Sequence, residues 1–143
     1  MKITDVLKAK PSGEVVTVSP DATVRELLAL LATHNIGAVI VSSDGSSVEG
    51  IVSERDVVRR LNDTADVLEA PVQQIMTANV HSCEHTDELD SLMSMMTDRR
   101  IRHVPVLRDG QLAGVVSIGD VVKHKIGQLE FERDQLDSYV HQT

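Results

Sequence analysis

The sequence is poor in aromatic residues, with one Phe, one Tyr and no Trp among its 143 residues. A core of this composition must be built from Val, Leu, Ile, Met and Ala. The scarcity of aromatics also removes the platforms on which proteins stack single-stranded nucleic acid. We therefore expect no binding of nucleic acid by base stacking.

Cysteine and long apolar runs are scarce as well. Cys83 is the one cysteine and has no partner in the chain for a disulfide. This favours a reducing compartment, and we expect the protein to be cytoplasmic. No apolar run approaches the roughly 20 residues that cross a bilayer, and the first ten residues lack the apolar stretch of a signal peptide. We expect no membrane partner.

Negative charge dominates, with a formal net charge of −8 that is concentrated in one segment. Residues 62–98 contain eight acidic residues and neither Lys nor Arg, whereas the rest of the chain is balanced. An acidic protein is a poor partner for the phosphates of duplex DNA. The basic cluster "RRIRH" at 99–103 either holds a small phosphate or forms an ordinary solvated face.

The chain contains two copies of one pattern. Residues 23–41 align with 88–106, and "GIVSERD" at 50–56 aligns with "GVVSIGD" at 114–120. Upstream, 3–9 aligns with 72–78, and the first copy carries four extra residues around "PSGE" before its first strand. The repeats divide the chain into four parts: repeat one at 1–61, an acidic linker at 62–71, repeat two at 72–125 and a C-terminal amphipathic helix at 126–143.

Each repeat changes its hydrophobic period in the same order. "VVTV" at 15–18 is typical of a strand, and Val24, Leu27, Leu28 and Leu31 follow with the spacing of an amphipathic helix. Two short apolar runs around a "DG" turn predict a β-hairpin, and a second helix follows. The unit is β-α-β-β-α, and two such small units are expected to pack sheet to sheet in an α+β (α/β-like) fold.

Pro105 interrupts the first hairpin strand of repeat two. Because proline cannot donate a hydrogen bond to a neighbouring strand, we expect this strand to lie at a sheet edge or to turn the proline outward.

Paired β-α-β-β-α units that open with a "V-x-x-I-M-T"-like segment and close with "G-hydrophobic-hydrophobic-Ser-x-x-Asp" resemble a tandem pair of cystathionine-β-synthase (CBS) domains, a Bateman module. The resemblance covers about residues 3–125 and implies a stand-alone regulatory module without catalytic activity. It also implies a homodimer, an adenine nucleotide bound in clefts between the repeats, and a separate protein target. AMP, ADP, ATP and NAD(H) are the candidate ligands, and all would be regulatory rather than catalytic cofactors.

The repeated Ser-x-x-Asp motifs supply the main candidate binding residues, Ser53 and Asp56 in repeat one and Ser117 and Asp120 in repeat two. Each motif lies where a strand ends and a helix begins, and a helix start favours a phosphate. The aspartate oxygens suit the two hydroxyls of a ribose, and the resemblance implies this use. The alternative is a capping box, in which the serine and the aspartate satisfy the backbone of the helix start.

The copies differ around these motifs. Arg55 offers a fork of donors to a phosphate, whereas Gly119 permits close approach of a bulky group, so the two clefts are not expected to be equivalent. Arg102 and His103 are candidate phosphate ligands, but strand alternation prevents both from pointing into one cleft. Lys123, one turn beyond the second aspartate, is a further phosphate candidate.

His81, Cys83 and His85 alternate along a predicted strand and could face one side. Zinc accepts these side chains, yet a fourth ligand is not evident. Ordinary strand packing is the expected role, and we predict no metal site and no catalytic residue. A ligand-free dimerisation or interaction module, and a metal or redox protein based on Cys83, remain the two alternatives to the nucleotide sensor.

Overall fold

Each half of the chain folds into the predicted β-α-β-β-α unit in a computed structural model that describes residues 1–10 and 15–141. The "PSGE" insertion at 11–14 lies outside the described residues, as do the last two residues of the predicted C-terminal helix. The strands are β1 (Thr17–Val18), β2 (Ala38–Val41), β3 (Gly50–Ser53), β4 (Cys83–Glu84), β5 (His103–Arg108) and β6 (Gln111–Ser117). The α-helices are α1 (Ile3–Lys8), α2 (Val24–His34), α3 (Glu54–Asp63), α4 (Leu89–Arg99) and α5 (Ile118–His141).

The six strands form two three-stranded sheets of the same design, ordered β1-β2-β3 and β4-β5-β6. In each sheet the middle strand runs parallel to the first and antiparallel to the third. The first strand is shorter than predicted, since only Thr17 and Val18 of the "VVTV" run are paired.

The edge position predicted for the strand of Pro105 is wrong, because β5 is the middle strand of its sheet. The proline is tolerated because β4 pairs only with Val106 and Leu107, further along β5. Pro105 itself is paired on one side only, with Val115 of β6.

The predicted helix stripe in repeat one is confirmed by burial. Val24, Leu27 and Leu31 of α2 are buried against the inward side chains of β2 and β3. Thr23 and Glu26 form a capping box at the start of this helix, with the Glu26 N–H donating to Thr23 Oγ1 at 3.1 Å. Such a reciprocal pair satisfies two backbone groups that the first turn leaves without partners.

The opening segment of each repeat packs on the other repeat. Ile3 and Val6 of α1 are fully buried in the core of repeat two, whereas Val72 and Ile75 are buried in the core of repeat one. The residues predicted as an acidic linker include a 3₁₀ helix, Ala65–Glu69, whose Val67 also enters the first core. This exchange ties the two repeats together through their apolar cores.

Equivalent backbone hydrogen bonds fix the two exchanged segments. The Thr4 N–H donates to the His85 carbonyl at 3.0 Å, and the Gln73 N–H donates to the Pro20 carbonyl at 3.1 Å. Near the ends of the segments the equivalence is lost: Thr77 exchanges two backbone hydrogen bonds with Ile51 of β3, at 2.8 and 3.0 Å. The matching carbonyl in repeat two, that of Val115, accepts from a side chain instead, the ammonium of Lys10.

The sheets face each other on the sides turned away from their helices. Ile40 of β2 alternates with side chains of the first core and is itself fully buried. On β5, His103 lies beside Gly37, where a Cβ would lie 3.9 Å from the imidazole. The Leu112 N–H also donates to the Ser46 carbonyl of the other repeat at 2.8 Å. These contacts agree with the predicted sheet-to-sheet arrangement.

The last helix is longer than the sequence pattern indicated. α5 begins at the end of β6 and continues as one helix of 24 residues through most of the predicted 126–143 segment. Val121 near its start is buried in the second core, whereas Ile126 and Leu129 are exposed. Repeat two and the C-terminal helix are therefore joined without a break.

Candidate functional site

A cleft of about 510 Å³ lies between the two repeats. Volumes of this size are typical of small-molecule sites. Its walls come from the end of α1, the chain before β1, the turn from α2 into β2, the strands β5 and β6, and the first turn of α5. The lining residues are Leu7, Lys10, Val15, Val16, His34, Asn35, Ile36, Gly37, Ala38, His103, Ala113, Gly114, Val115, Ser117 and Asp120.

The second Ser-x-x-Asp motif lies in this cleft. Ser117 ends β6, and its N–H donates to Asp120 Oδ2 at 3.0 Å. In return the Asp120 N–H donates to Ser117 Oγ at 3.1 Å. The hydroxyl and the carboxylate are thus held at the positive end of a long helix, where a bound anion is favoured.

Lys10 forms an ion pair with the aspartate of this motif. Lys10 Nζ lies 3.0 Å from Asp120 Oδ2 and donates to the Val115 carbonyl at 2.8 Å. Burial acts to raise the pKa of Asp120, but the Ser117 N–H and Lys10 together outweigh it and hold that pKa below its ordinary value. Asp120 is therefore a charged acceptor inside a partly buried cleft.

His103 also lines the cleft: it is the cross-strand partner of Ser117 in the β5–β6 pair, and its ring lies beside Gly37 of the other repeat. Burial lowers the pKa of its imidazole, with Lys10 and Arg102 adding to the decrease and Asp120 opposing it. Arg102, its neighbour in the chain, is exposed and does not line the cleft. Strand alternation predicts that the two side chains cannot both enter one cleft, and His103 alone of the two lines this one.

The first Ser-x-x-Asp motif forms a complete capping box at the start of α3. The Ser53 N–H donates to Asp56 Oδ2 at 2.8 Å, and the Asp56 N–H donates to Ser53 Oγ at 3.4 Å. Ser53, Arg55 and Asp56 do not line the cleft. The Arg55 side chain is exposed.

Two further predicted residues lie near α5 but outside the cleft. Gly119 is exposed, and an added Cβ would meet only Ser117 Oγ, at 3.6 Å. Lys123 lies on another surface, beside a shallow depression that Met1, Ala9 and Phe131 also line. Neither residue lines the cleft, although Gly119 stands between Ser117 and Asp120 in the chain.

His81, Cys83 and His85 have separate partners. The Cys83 thiol is buried and donates to the Pro105 carbonyl, His85 Nδ1 lies 3.1 Å from Thr4 Oγ1, and His81 contacts Arg99. Burial, followed by the charges of Asp87 and Glu84, raises the pKa of the thiol to about 12. Over residues 1–10 and 15–141, no group of His, Cys, Asp and Glu is arranged to hold a metal ion.

Sequence reasoning missed Lys10 and most of the apolar wall. Gly37 and Ala38 carry no charged group that would mark them in the sequence, yet they line the cleft. Val15 and Val16 were assigned to a strand but line the cleft. Their uncharged, aliphatic side chains suit a flat apolar ring, and nothing in the sequence marks them as part of a site.

The comparisons with known proteins agree with the fold. The CBS domain family matches twice, at residues 3–63 and 72–127. The chain therefore belongs to the CBS domain family and carries a pair of these domains.

Similar proteins come from bacteria, archaea and plants. A CBS-domain containing protein from Agrobacterium tumefaciens has a TM-score of 0.82 and 43% identity over 87% of this chain and 99% of that one. The mitochondrial CBS domain-containing protein CBSX3 of Arabidopsis thaliana is 34% identical over 96% of this chain and 71% of its own. A CBS domain protein from Pyrobaculum aerophilum, solved in complex with AMP, has a TM-score of 0.75 and 27% identity over 84% of this chain and 89% of that one.

Within the described ranges, no helix combines the length and the apolar character needed to cross a bilayer.

Proposed function

We propose that this CBS pair is a regulatory module that binds an adenine nucleotide in the cleft at Ser117 and Asp120. The observation that carries the proposal is the convergence of these two residues with His103 on one cleft between the repeats. The AMP bound to the Pyrobaculum aerophilum relative supports the choice of ligand class.

The chemistry of the cleft matches the three parts of a nucleotide. Val15, Val16 and Ile36 offer aliphatic surface to the base, whereas the Asp120 carboxylate offers two acceptors to the ribose hydroxyls. The phosphate would lie toward Ser117 and the first turn of α5, where the helix dipole favours negative charge.

Binding would act as a signal by changing the arrangement of the two repeats. The cleft walls come from both repeats, so a nucleotide contacts both at once. A ligand shifts such an equilibrium only by its different affinities for the two arrangements. The output would be a changed surface for a protein target.

In this proposal the Ser53–Asp56 corner, where β3 ends and α3 begins, stabilises the fold and binds no ligand. Its serine and aspartate cap α3 without lining the cleft, and the carbonyl of Ile51 beside them is paired with the Thr77 N–H. We therefore assign one nucleotide per chain, at the second motif. In the alternative, a ligand-free interaction module, both Ser-x-x-Asp motifs would act only as helix caps.

The predicted homodimer is part of the proposal. Val58 of α3 and Val122 of α5, at equivalent places in the two repeats, are 65% and 48% exposed. Exposed valines on matching helices support association with a second copy through the helical sides of the repeats. Native mass spectrometry that gives only the 15.6 kDa monomer at micromolar concentration would contradict this part.

Isothermal titration calorimetry with AMP, ATP and NADH tests the proposed function. Binding of at least one of them with about one site per chain is expected. If none produces heat or raises the melting temperature, the module does not bind adenine nucleotides. Native mass spectrometry of freshly purified protein adds an independent observation, since a retained nucleotide appears as added mass.

A further inference from the structure

Lys10 connects the cleft to the exchanged α1 segment. Within residues 1–10 and 15–141, its ammonium donates to Asp120 Oδ2 at 3.0 Å and to the Val115 carbonyl at 2.8 Å. Both residues line the cleft that the nucleotide is proposed to fill. Lys10 therefore competes with any ligand that uses the Asp120 carboxylate.

The equivalent position in repeat one has no such lysine. The Ile51 carbonyl, which matches that of Val115, accepts the backbone N–H of Thr77 at 2.8 Å. Continuing the alignment of 3–9 with 72–78 by one residue places Asn79 opposite Lys10. The Ile51 carbonyl in repeat one is thus bonded to the backbone of Thr77, whereas the matching Val115 carbonyl in repeat two is bonded to the long side chain of Lys10.

A ligand that approaches Asp120 with its ribose hydroxyls must replace the ammonium there. Separating a partly buried carboxylate from its cation is costly unless the cation finds another anion. A nucleotide brings that anion as its phosphate, whereas an uncharged nucleoside does not. The four-carbon stem of lysine allows the ammonium to move from one acceptor to the other.

We infer that Lys10 is a specificity-determining residue, which covers Asp120 in the free protein and transfers to the phosphate when a nucleotide binds. This inference rests on the proposed function, because it takes Asp120 as the ribose acceptor. It predicts that the cleft discriminates between AMP and adenosine, two ligands that differ only in the phosphate.

Calorimetry of AMP and adenosine with the full chain and its Lys10→Gln variant tests the inference. In the variant, AMP loses a charge-assisted hydrogen bond, and its affinity should fall about 10- to 100-fold. Adenosine affinity should stay the same or increase, because Asp120 no longer has to give up its cation. Lys10→Arg, which keeps the positive charge, should restore most of the preference for AMP.

Lys8→Gln is the matched control, since Lys8 is an exposed lysine at the end of α1, two residues before Lys10. It should leave both affinities within about twofold of the wild type, far below the change a charge-assisted bond produces. If Lys10→Gln weakens AMP and adenosine by equal factors, or changes neither, the inference is wrong while the proposed function stands. If the wild type binds neither ligand, the proposed function fails and the inference fails with it.

Discussion

Leu7 of α1 packs against Gly114 of β6 so closely that a Cβ on the glycine would lie 2.8 Å from Leu7 Cδ2. Met76 packs against Gly50 in the matching place of the other repeat. Each contact joins the opening segment of one repeat to the hairpin of the other. The glycines are therefore what allows the exchanged segments to lie flat on the sheets.

Substitution of Gly50 by Ala tests the exchange. The new methyl group would lie 2.5 Å from Met76 Sδ and 3.0 Å from the Thr77 carbonyl, whose backbone is held by Ile51. Overpacking of this kind lowers the free energy of unfolding by about 1–3 kcal/mol. Gly114→Ala should cost less, because the end of the Leu7 side chain can move. Urea denaturation measures both changes.

Gly127→Ala is the control for these substitutions. Its added Cβ would meet no atom within 4 Å, and the position lies in α5. Alanine is favoured over glycine inside a helix by about 0.5–1 kcal/mol, so this variant should be more stable than the wild type. A Gly50→Ala protein as stable as Gly127→Ala would show that the Met76 contact is not tight.

The Cys83 thiol should be unreactive in the folded protein. The side chain is 5% exposed, and its pKa is raised to about 12, so very little thiolate is present near neutral pH. Mass spectrometry after treatment with a maleimide should show no adduct in buffer and one adduct in denaturant. Rapid labelling of the native protein would favour the alternative in which Cys83 has a redox role.

The His103 imidazole predicts a pH dependence of stability. Burial lowers its pKa from the ordinary value of 6.5, so the folded state binds a proton less readily than the unfolded chain. The stabilisation is complete above pH 6.5 and is lost as the pH falls toward the folded-state pKa. Unfolding free energies measured at about pH 8 and about pH 5.5 should differ less in His103→Gln than in the wild type. An identical difference in both proteins would contradict a buried, neutral His103.

Most of the fold could be predicted because the sequence contains the same pattern twice. Residues 23–41 and 88–106 change their hydrophobic period at matching positions, and the helices, hairpins and turns follow from that. The exchange of opening segments could not be predicted in the same way. A segment such as Ile3–Lys8 has an apolar face that fits either core, and only three-dimensional packing decides which one it covers.

The candidate site could be predicted at Ser117 and Asp120, which belong to a repeated motif. It could not be predicted at Lys10, Val15 and Val16, which only the packing of the chain brings to the cleft. The repeated Ser-x-x-Asp marks both pairs, and both cap a helix, but Ser117 and Asp120 line the cleft whereas Ser53 and Asp56 do not. The two motifs also differ in their neighbours, because Lys10 bonds to the Val115 carbonyl beside one and Thr77 bonds to the Ile51 carbonyl beside the other. Both neighbours lie far from the motifs in sequence. Lys123 is a phosphate candidate from the sequence because it lies one turn beyond Asp120, yet on α5 its side chain lies beside a different depression.

The Ser53–Asp56 pair should contribute to stability rather than to ligand binding. Ser53→Ala removes the hydroxyl that accepts the Asp56 N–H, and loss of such a cap costs about 0.5–2 kcal/mol. Thermal denaturation should show this decrease, with AMP affinity unchanged. A Ser53→Ala protein that keeps full stability and loses AMP would assign the first corner to the ligand.

Calorimetric titration of AMP into Asp120→Ala and Asp56→Ala compares the two corners directly. The account predicts that Asp120→Ala weakens AMP binding about 10- to 100-fold, the effect of losing charge-assisted bonds to the ribose. Asp56→Ala should bind AMP like the wild type, although it is less stable. If Asp120→Ala binds AMP as tightly as the wild type, or if Asp56→Ala loses the same affinity as Asp120→Ala, the cleft at Ser117 and Asp120 is not the single nucleotide site.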